Sequence, residues 1–309
     1  MKNSGENSVL NNTNLPSIKA LRTFVAVADN MSFSKAAQEL FVSQGAVSKN
    51  ISALEKQLGQ PLFNRRLNGI ELTSAGEQYL PKIIEALEII QYTTESLVLI
   101  DQVEEVLSLN VTPSFASLWL IPKIEQFYEL NKNIRVRIKT GDGIIKKTNG
   151  ESDIAVRCLA ISTHYENATL LRKEKLVLVA SPKLLEKNPI TTIEDIQHHA
   201  SIFHITRPQL WEQFKKQQGL VYNSTYSCTG FEHFYMSLEA AKGGLGLALL
   251  PDFMVSKLIE NNELVNPLNI SMETHYAYYV FVPSYRLSSR KIYEFKKWVT
   301  ESLGDNSPQ

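Results

Sequence analysis

Residues 32–59 constrain this chain more than any other stretch, because they predict two short helices joined by a tight turn. Ser32 or Ser34 can cap the first helix, since a serine oxygen accepts hydrogen bonds from free N–H groups at a helix start. Ser43 can cap the second helix, and Gly59 can end it. Apolar residues of the second helix recur at spacings of four, three and four, at Val47, Ile51, Leu54 and Leu58. Such a stripe must face a small core, so the sequence predicts a helix-turn-helix.

The face of the second helix opposite this stripe can read DNA. It carries short polar or cationic side chains at Gln44, Ser48, Lys49 and Ser52. These groups can reach base edges and phosphates if the helix enters a major groove. A polar stripe also covers many ordinary helices on the side that faces solvent, so this face alone leaves that alternative open.

Two short segments downstream, residues 61–66 and 69–72, predict a β-hairpin, because a turn-like Leu67-Asn68 separates them. The hairpin would form a wing beside the two helices and place Arg65 and Arg66 next to a DNA backbone. A surface hairpin without that role is the alternative interpretation.

The charge of the chain is segregated, although the whole sequence is neutral with 32 basic and 32 acidic residues. Residues 17–70 hold seven Lys or Arg against three Asp or Glu, whereas residues 71–105 hold one Lys against eight acids. A basic patch of this size suits one DNA-binding module, and dimerisation would double it. Chance clustering in a short window is the alternative.

Residues 17–76 resemble the winged helix-turn-helix of LysR-type transcriptional regulators. The family pattern occurs in order at Phe33, Ala36-Ala37, Leu40, Ser43-Gln44, Val47-Ser48, Ile51, Leu54-Glu55, Leu58-Gly59, Leu62-Phe63, Arg65 and Leu72-Thr73-Ser74-Ala75-Gly76. The resemblance implies that the following residues contact double-stranded DNA: Ser34, Ser43, Gln44, Ser48, Lys49, Arg65 and Arg66. Lys49 stands where arginine is frequent, and because it lacks the bidentate fork we expect it to contact phosphate.

A long helix should follow the wing, capped by Thr73 or Ser74 and running to about residue 99. Its apolar positions form a heptad seam at Leu80, Ile83, Leu87, Ile90, Thr94 and Leu97. Pro81 should bend the helix near its first turns. Packing on its own domain is one interpretation of this seam, but the family resemblance favours a dimerising linker. The predicted domains are therefore a DNA-binding domain at 15–72, a linker helix at 73–102 and a regulatory domain at 103–303.

From residue 104 onward, predicted strands and helices alternate, which indicates an α/β layer architecture. The predicted strands are Val106 to Val111, Ile134 to Thr140, Asp153 to Arg157, Leu176 to Ala180, Ser201 to Ile205, Tyr226 to Thr229 and Tyr276 to Val282. This half resembles the effector domain of the same regulators, a two-lobed fold like type 2 periplasmic binding proteins. Lobe I would hold about 103–172 and 273–303, and lobe II about 173–272. The run from Thr112 to Leu120 resembles the subgroup of the glycine-cleavage activator and the beta-lactamase regulator.

A small-molecule effector should bind between the lobes, where strand ends and helix starts converge. Hydroxyls of Thr112 and Ser114, with free N–H groups at a helix start, could hold a carboxylate or another anion. Simple capping by Ser114 is an equal alternative. Further candidates are Phe115, Thr140, Arg157, His204, Phe231 and Glu232. Arg157 could bind an acidic effector or pair structurally with Asp153 or another acid.

Signatures of catalysis and of metal binding are missing from the sequence. It has no P-loop lysine, no Gly-x-Ser-x-Gly elbow and no pair of histidines at metal-ligand spacing. We therefore expect no enzymatic activity, no metal and no cofactor. The two cysteines, Cys158 and Cys228, favour a reducing compartment. They also leave open a rival function, a thiol redox switch; the second rival is a small-molecule binding protein without DNA function.

The expected location is the cytoplasm, because residues 1–16 lack an apolar signal core and no run approaches the ~18 apolar residues of a membrane helix. The expected partners are double-stranded DNA, a small effector and further copies of the chain, as a dimer or dimer of dimers. RNA polymerase is a candidate partner, and no membrane is expected.

Replacing Gln44 with alanine should remove much of the preference for operator over random DNA, because hydrogen bonds to base edges carry ~1–3 kcal/mol of discrimination. Arg65→Ala should instead weaken binding to both DNAs alike and flatten the salt dependence, since one phosphate contact and its released counterions are lost. Binding titrations across a salt series measure both effects. Equal effects of the two substitutions on operator and random DNA would refute this division between reading and anchoring.

Overall fold

The computed structural model describes residues 15–66, 69–98, 104–143, 152–161, 164–220, 227–287 and 289–304, with only the backbone at 65–66, 95–98 and 227–228. The chain divides into two compact units, residues 1–101 and 102–309. Each unit has its own hydrophobic core. Within the described residues, none of the helices combines the length and the hydropathy that a transmembrane span requires.

The first unit is a winged helix-turn-helix followed by a long helix, as the sequence predicts. Its elements are α1 (Ile18–Asn30), α2 (Phe33–Glu39), α3 (Gln44–Leu58), β1 (Phe63–Arg66), β2 (Gly69–Leu72) and α4 (Ser74–Val98). Strands β1 and β2 pair antiparallel. Residues 67 and 68, the predicted turn of the wing, lie outside the described residues.

Serine side chains cap both helices of the helix-turn-helix. Ser32 accepts a hydrogen bond from the N–H of Lys35, so it is the cap of α2, and Ser43 accepts one from the N–H of Ala46 at the start of α3. Helix α3 ends at Gly59, which adopts the left-handed conformation with φ 69°. These local interactions fix the helix boundaries almost where the sequence places them.

The buried face of α1 agrees with the sequence pattern in part. Apolar residues recur at spacings of three and four at Ile18, Leu21, Val25 and Ala28, with Phe24 beside them, and predict the face that packs on the other two helices. Phe24 and Ala28 are buried, but Ile18 is 50% exposed, and Val27, outside the predicted set, is fully buried. The Phe24 ring lies 5.5 Å from the ring of Phe63 and 5.7 Å from that of Tyr79. Packing against these aromatic neighbours sets the rotation of α1, and spacing along one helix could not show it.

The start of α4 is held against the wing by Thr73. Its hydroxyl donates to the carbonyl of Pro61 and accepts from the N–H of Gly76. A Cβ atom at position 76 would lie 2.3 Å from the carbonyl oxygen of Leu62. Only glycine permits this close approach, which explains the glycine of the Leu-Thr-x-x-Gly motif.

The predicted seam of α4 divides into two parts. Leu80 and Ile83 are buried in the core of their own unit, with Leu87 packed against that core. The alternative of a helix packed on its own domain therefore holds for the first turns. Ile90 is 46% exposed, so the surface available to a second copy begins there. The side chain of Leu97 lies outside the described residues.

The second unit is built on a six-stranded sheet with the strand order β4-β3-β5-β10-β6-β9. Its strands are β3 (Glu105–Val111), β4 (Ile134–Thr140), β5 (Ile154–Ala160), β6 (Ala168–Val179), β9 (Ala248–Pro251) and β10 (Ser271–Phe281). Strand β3 runs parallel to β4 and β5, whereas β10 runs antiparallel to both β5 and β6. A second, two-stranded sheet pairs β7 (Ser201–His204) with β8 (Ser227–Phe231).

Helices cover this sheet. They are α5 (Pro113–Phe115), a π-helical turn (Ala116–Leu120), α6 (Ile121–Leu130), α7 (Pro182–Lys187), α8 (Leu210–Gln217), α9 (Phe234–Lys242), α10 (Asp252–Glu260) and α11 (Arg290–Leu303). An aromatic cluster joins α11 to the earlier helices: the rings of Trp119 and Trp298 lie 5.5 Å apart, and those of Phe127 and Phe295 5.4 Å apart. The last helix thus completes the core around the first strands of this unit.

Two strands connect the two lobes of this α/β unit. The first half of β6 pairs with residues 277–281 of β10, and the same residues of β10 pair with β5 on their other side. The second half of β6 pairs with β9. The sequence predicted only the apolar halves of these two strands. It missed residues 168–175 because charges interrupt the apolar pattern there. The predicted lobe boundaries, 172/173 and 272/273, fall inside β6 and β10; the domain limits themselves stay predictions.

Ile90→Glu should weaken association of the full chain by about tenfold or more, because burying one aliphatic side chain contributes roughly 1.5–3 kcal/mol. Its melting temperature should stay near that of the wild type, because the side chain is already 46% exposed. Sedimentation over a concentration series measures the change. Ile89→Glu is the matched control, since Ile89 is 39% exposed but lies outside the seam. Equal weakening by both substitutions, or by neither, would contradict this role of Ile90.

Candidate functional site

The side chains predicted to contact DNA lie on α2, on α3 or in the wing. Ser34, Ser43, Gln44 and Lys49 are exposed, and Ser48 is half-buried. The backbone of Arg65 and Arg66 lies in β1, but their side chains lie outside the described residues. The described side chains can therefore be reached from solvent at the start of α3, and their contacts with DNA stay predictions.

A cleft of about 510 Å³ lies between the lobes of the second unit. On the lobe I side it is lined by Thr112, Ser114, Asp142 and Gly143, and on the lobe II side by His204, Thr206, Arg207, Glu232, His233 and Phe234. Its floor is formed by Cys158, Leu159, Tyr276 and Tyr278 from the central strands. Four of the eight predicted effector residues thus meet in one cleft: Thr112, Ser114, His204 and Glu232.

Ser114 links the two sides of the cleft. Its side chain is 6% exposed, and its hydroxyl accepts a hydrogen bond of 3.3 Å from the N–H of Tyr235 in the first turn of α9. Thr112, rather than Ser114, occupies the N-cap position of α5, and it makes no capping hydrogen bond through its side chain. Ser114 therefore does not cap its own helix α5, but its bond to the first turn of α9 is a structural role of the kind that the alternative proposes, and Thr112 lines the cleft.

The other four predicted effector residues do not line the cleft. Phe115 is fully buried and its ring stacks on Trp119 at 4.9 Å. Arg157 is buried and donates to the backbone carbonyl and the side-chain oxygen of Asn110, at 2.8 and 2.7 Å. Thr140 is exposed at the end of β4, and Phe231 is half-buried at the end of β8. Effector contacts from these four residues stay predictions without support from the geometry.

The alternative that Arg157 pairs with Asp153 is wrong. The carboxylate of Asp153 accepts hydrogen bonds from Arg286 at 2.7 Å, from Lys291 at 2.9 Å and from the N–H of Ser108 at 2.8 Å. Asp153 thereby ties the end of the chain to β3. The sequence could not show this because these partners lie far from Asp153 along the chain.

Arg207 is a prominent cleft residue that the sequence analysis missed. Its guanidinium donates to the fully buried Glu174 at 2.7 Å and to the sulfur of Cys158 at 3.2 Å. The same group lies 4.0 Å from the centroid of the Tyr276 ring. Glu174 also accepts a hydrogen bond of 2.7 Å from Thr274. The sequence contains one indication of the buried acid that pairs with Arg207. Glu174 alternates with Leu176 and Leu178 at a spacing of two, and such residues lie on the same face of a strand, here the buried face of β6.

Burial and these charges shift the pKa values of the cleft residues. Burial, followed by the charge of Arg207, lowers the pKa of His204 to about 4, so its imidazole is neutral at physiological pH. Burial lowers the pKa of Arg207, but Glu174, Cys158 and Tyr278 together raise it by more, so the net shift is upward. Burial raises the pKa of the Tyr278 hydroxyl well above its usual range. At neutral pH, Arg207 therefore carries a positive charge within the cleft.

Comparison with known proteins decides the family. The model of the LysR substrate binding domain matches residues 101–304, and that of the bacterial regulatory helix-turn-helix protein, lysR family, matches residues 18–77. This chain belongs to the LysR family of transcriptional regulators. The predicted function is thereby confirmed: the regulator has a helix-turn-helix domain that binds DNA and a domain that binds a small effector.

Curated relatives of this LysR-family regulator are transcriptional regulators, not enzymes. The glycine cleavage system transcriptional activator of Escherichia coli is 33% identical over 286 residues, which cover 92% of this chain and 93% of the relative. A homolog of that activator from Haemophilus influenzae is 32% identical over 289 residues, 94% of this chain and 95% of the relative. The resemblance to the glycine-cleavage subgroup is thereby confirmed.

A solved structure supports the fold of the regulatory domain. The effector binding domain of AmpR from Citrobacter freundii matches with a TM-score of 0.56 and 23% identity, over 65% of this chain and 98% of that chain. The predicted two-lobed α/β architecture is confirmed.

Cys158 should resist alkylation in the folded regulator. Burial raises the pKa of its thiol well above the usual value, and the charge of Glu174 adds to this shift, so the reactive thiolate is suppressed. In a Cys228→Ser variant, Cys158 is the one remaining thiol, and iodoacetamide at pH 8 should modify it about 100-fold more slowly when folded than in urea. Mass spectrometry measures the rates. Rapid modification of the folded variant would revive the redox-switch alternative.

Proposed function

We propose that the effector of this regulator is a small zwitterion, an amino acid or a close derivative, bound in the cleft between the lobes. The observation that carries the proposal is the separation of charge within the cleft. The side chain of Arg207, on the lobe II side, is only 14% exposed, whereas the carboxylates of Asp142 on the lobe I side and Glu232 on the lobe II side are exposed and form the mouth of the cleft.

The less exposed part of the cleft suits the carboxylate end of such a ligand. Arg207 lines the cleft with a side chain that is 14% exposed, and Thr112 lines it without a capping bond through its hydroxyl. The helix α9 begins at the cleft, and although the N–H of Tyr235 in its first turn is bonded to Ser114, the positive end of the helix dipole still favours negative charge. His204, being neutral at physiological pH, adds no charge and can donate or accept a hydrogen bond.

The mouth of the cleft disfavours a ligand that carries only negative charge. Asp142 and Glu232 would repel it, and part of the attraction of Arg207 is already offset by Glu174, 2.7 Å away. An ammonium group near Asp142 and Glu232 removes this repulsion. Asp142 also lies 3.6 Å from His233, and this contact is an ion pair only when the imidazole is protonated. The two relatives described above are named for the glycine cleavage system, and glycine is a zwitterion.

We further propose that the regulator acts in the cytoplasm, as a dimer or dimer of dimers, without enzymatic activity and with RNA polymerase as a partner. The DNA-binding domain supports the location and the partner. The exposed Ile90 on α4 supports the assembly.

A panel of matched compounds tests the class of effector. Free amino acids should raise the melting temperature of the full chain, because a ligand that binds only the folded state stabilises it. Their N-acetyl forms lack the positive charge and their amides lack the negative charge, so both should bind at least about tenfold more weakly. Thermal shift and calorimetry measure the affinities.

Substitutions then test the site. Ser114→Phe should abolish the response to an amino acid that binds the wild type, because it fills the cleft. Glu232→Gln should reduce the difference in binding affinity between that amino acid and its N-acetyl form. Glu239→Gln is a control for charge, because Glu239 is exposed on α9 but does not line the cleft. Strong binding of dicarboxylates or phosphates instead of amino acids would contradict the zwitterion, and unchanged binding to Ser114→Phe would contradict the site.

A further inference from the structure

The turn of the helix-turn-helix contains a phenylalanine in a position that normally holds glycine. At the end of α2, the N–H of Val42 donates to the carbonyl of Ala37 at 3.0 Å, and the N–H of Phe41 donates to that of Gln38 at 3.2 Å. This pair of bonds is a Schellman motif, whose left-handed residue is usually glycine. Phe41 occupies that place with φ 54°. The next helix, α3, has Gly59 at its left-handed end, with φ 69°.

The ring of Phe41 gains nothing from the core of its own unit. It is 95% exposed, and among the described residues the next most exposed large hydrophobic residue is Leu130, at 73%. A left-handed conformation is unfavourable for a residue with a Cβ atom, and an apolar ring in water gains no burial. Glycine would serve the turn better on both counts. The stability of the folded domain therefore does not explain the side chain.

The position of Phe41 is continuous with the DNA-binding face. It lies three residues before Gln44, the first residue of α3, and the intervening Val42 and Ser43 are exposed as well. In a helix-turn-helix, the start of the second helix meets base edges while the first helix crosses the backbone. The turn between them therefore lies at the edge of the groove. The one acid in residues 32–52 is Glu39 at the end of α2; it is exposed, and its carboxylate accepts a hydrogen bond from the side chain of Asn30.

We infer that Phe41 is a DNA-reading residue whose ring contacts the methyl group of a thymine at the edge of the major groove. Thymine is the base that presents an apolar group in this groove, and aromatic side chains are among those that contact it. The contact would bury the ring only in the complex. The unfavourable left-handed conformation of Phe41 would then be offset in the complex, where an apolar side chain contacts DNA close to the polar side chain of Gln44.

The test uses the full chain and a duplex that the wild type selects from a randomised pool. Phe41→Ala should weaken binding to this duplex on the order of tenfold and binding to random duplex much less. Thymines of the selected duplex are replaced one at a time by deoxyuridine, which lacks the methyl group. One of these replacements should weaken binding by the wild type about as much as Phe41→Ala does. The same replacement should not weaken binding by Phe41→Ala any further, so the effects of the protein and DNA changes are not additive. Phe41→Leu, which keeps an apolar side chain, should retain part of the preference for thymine.

Two controls separate this contact from a structural role. The melting temperature of Phe41→Ala should stay within about 2 °C of the wild type, because no buried contact is lost. Met31→Ala should leave DNA binding unchanged, since Met31 is also left-handed, with φ 45°, and 42% exposed, but ends α1 outside the turn.

Three results would overturn the inference. Equal losses on selected and random duplexes would show a contact with the backbone rather than with a base. Unchanged DNA binding with lost activation by RNA polymerase in a purified transcription assay would show a protein partner. Unchanged DNA binding with an altered sedimentation coefficient would show contact between copies of the chain.

Discussion

The position of β10 in the middle of the large sheet is the constraint on which the second unit depends. Strand β10 is the last strand of the chain before α11, yet it lies between two earlier strands. It pairs with β5 on one edge and with β6 on the other. Without it, β4-β3-β5 and β6-β9 would be separate sheets with unpaired edges. Lobe I and lobe II are therefore joined through the paired strands β6 and β10, and the chain must extend to β10 before either lobe is complete.

This pairing also places the floor of the cleft. The register between β6 and β10 shifts between Glu273 and Ala277, so the residues between them depart from the regular ladder. Such an irregularity re-aims side chains and bends the strand. Thr274 reaches Glu174 there, and Tyr276 lies against Arg207. The irregular segment thus supplies the aromatic and hydrogen-bonding groups that hold the arginine of the cleft.

Buried charge makes both lobes sensitive to the loss of a single partner. Glu174 is fully buried and needs Arg207 and Thr274, while Asp153 is nearly buried and needs Arg286 and Lys291. Removing one partner of a buried ion pair costs about 3–5 kcal/mol, because the remaining charge stays without compensation. A buried ion pair need not increase the free energy of unfolding, but each of these clusters holds segments that are distant in the sequence in one arrangement. At the cleft, that arrangement holds Arg207 beside Glu174.

The sequence by itself determined the helix-turn-helix, the family and most strands of the second unit. Ser32, Ser43 and Gly59 act on N–H and carbonyl groups within a few residues, so their effect can be predicted from the chain alone. The same short range explains why Thr112 and Ser114 were recognised at a strand end. Only the tertiary structure decided which side chains meet in the cleft. Glu174 and Thr274 are 100 residues apart, and Ser114 and Tyr235 are 121 apart. Arg157 is hydrogen-bonded to Asn110, and Phe115 is buried in the core, for the same reason. The partner of a buried group depends on how remote segments pack, and local spacing along the chain carries no information on that packing.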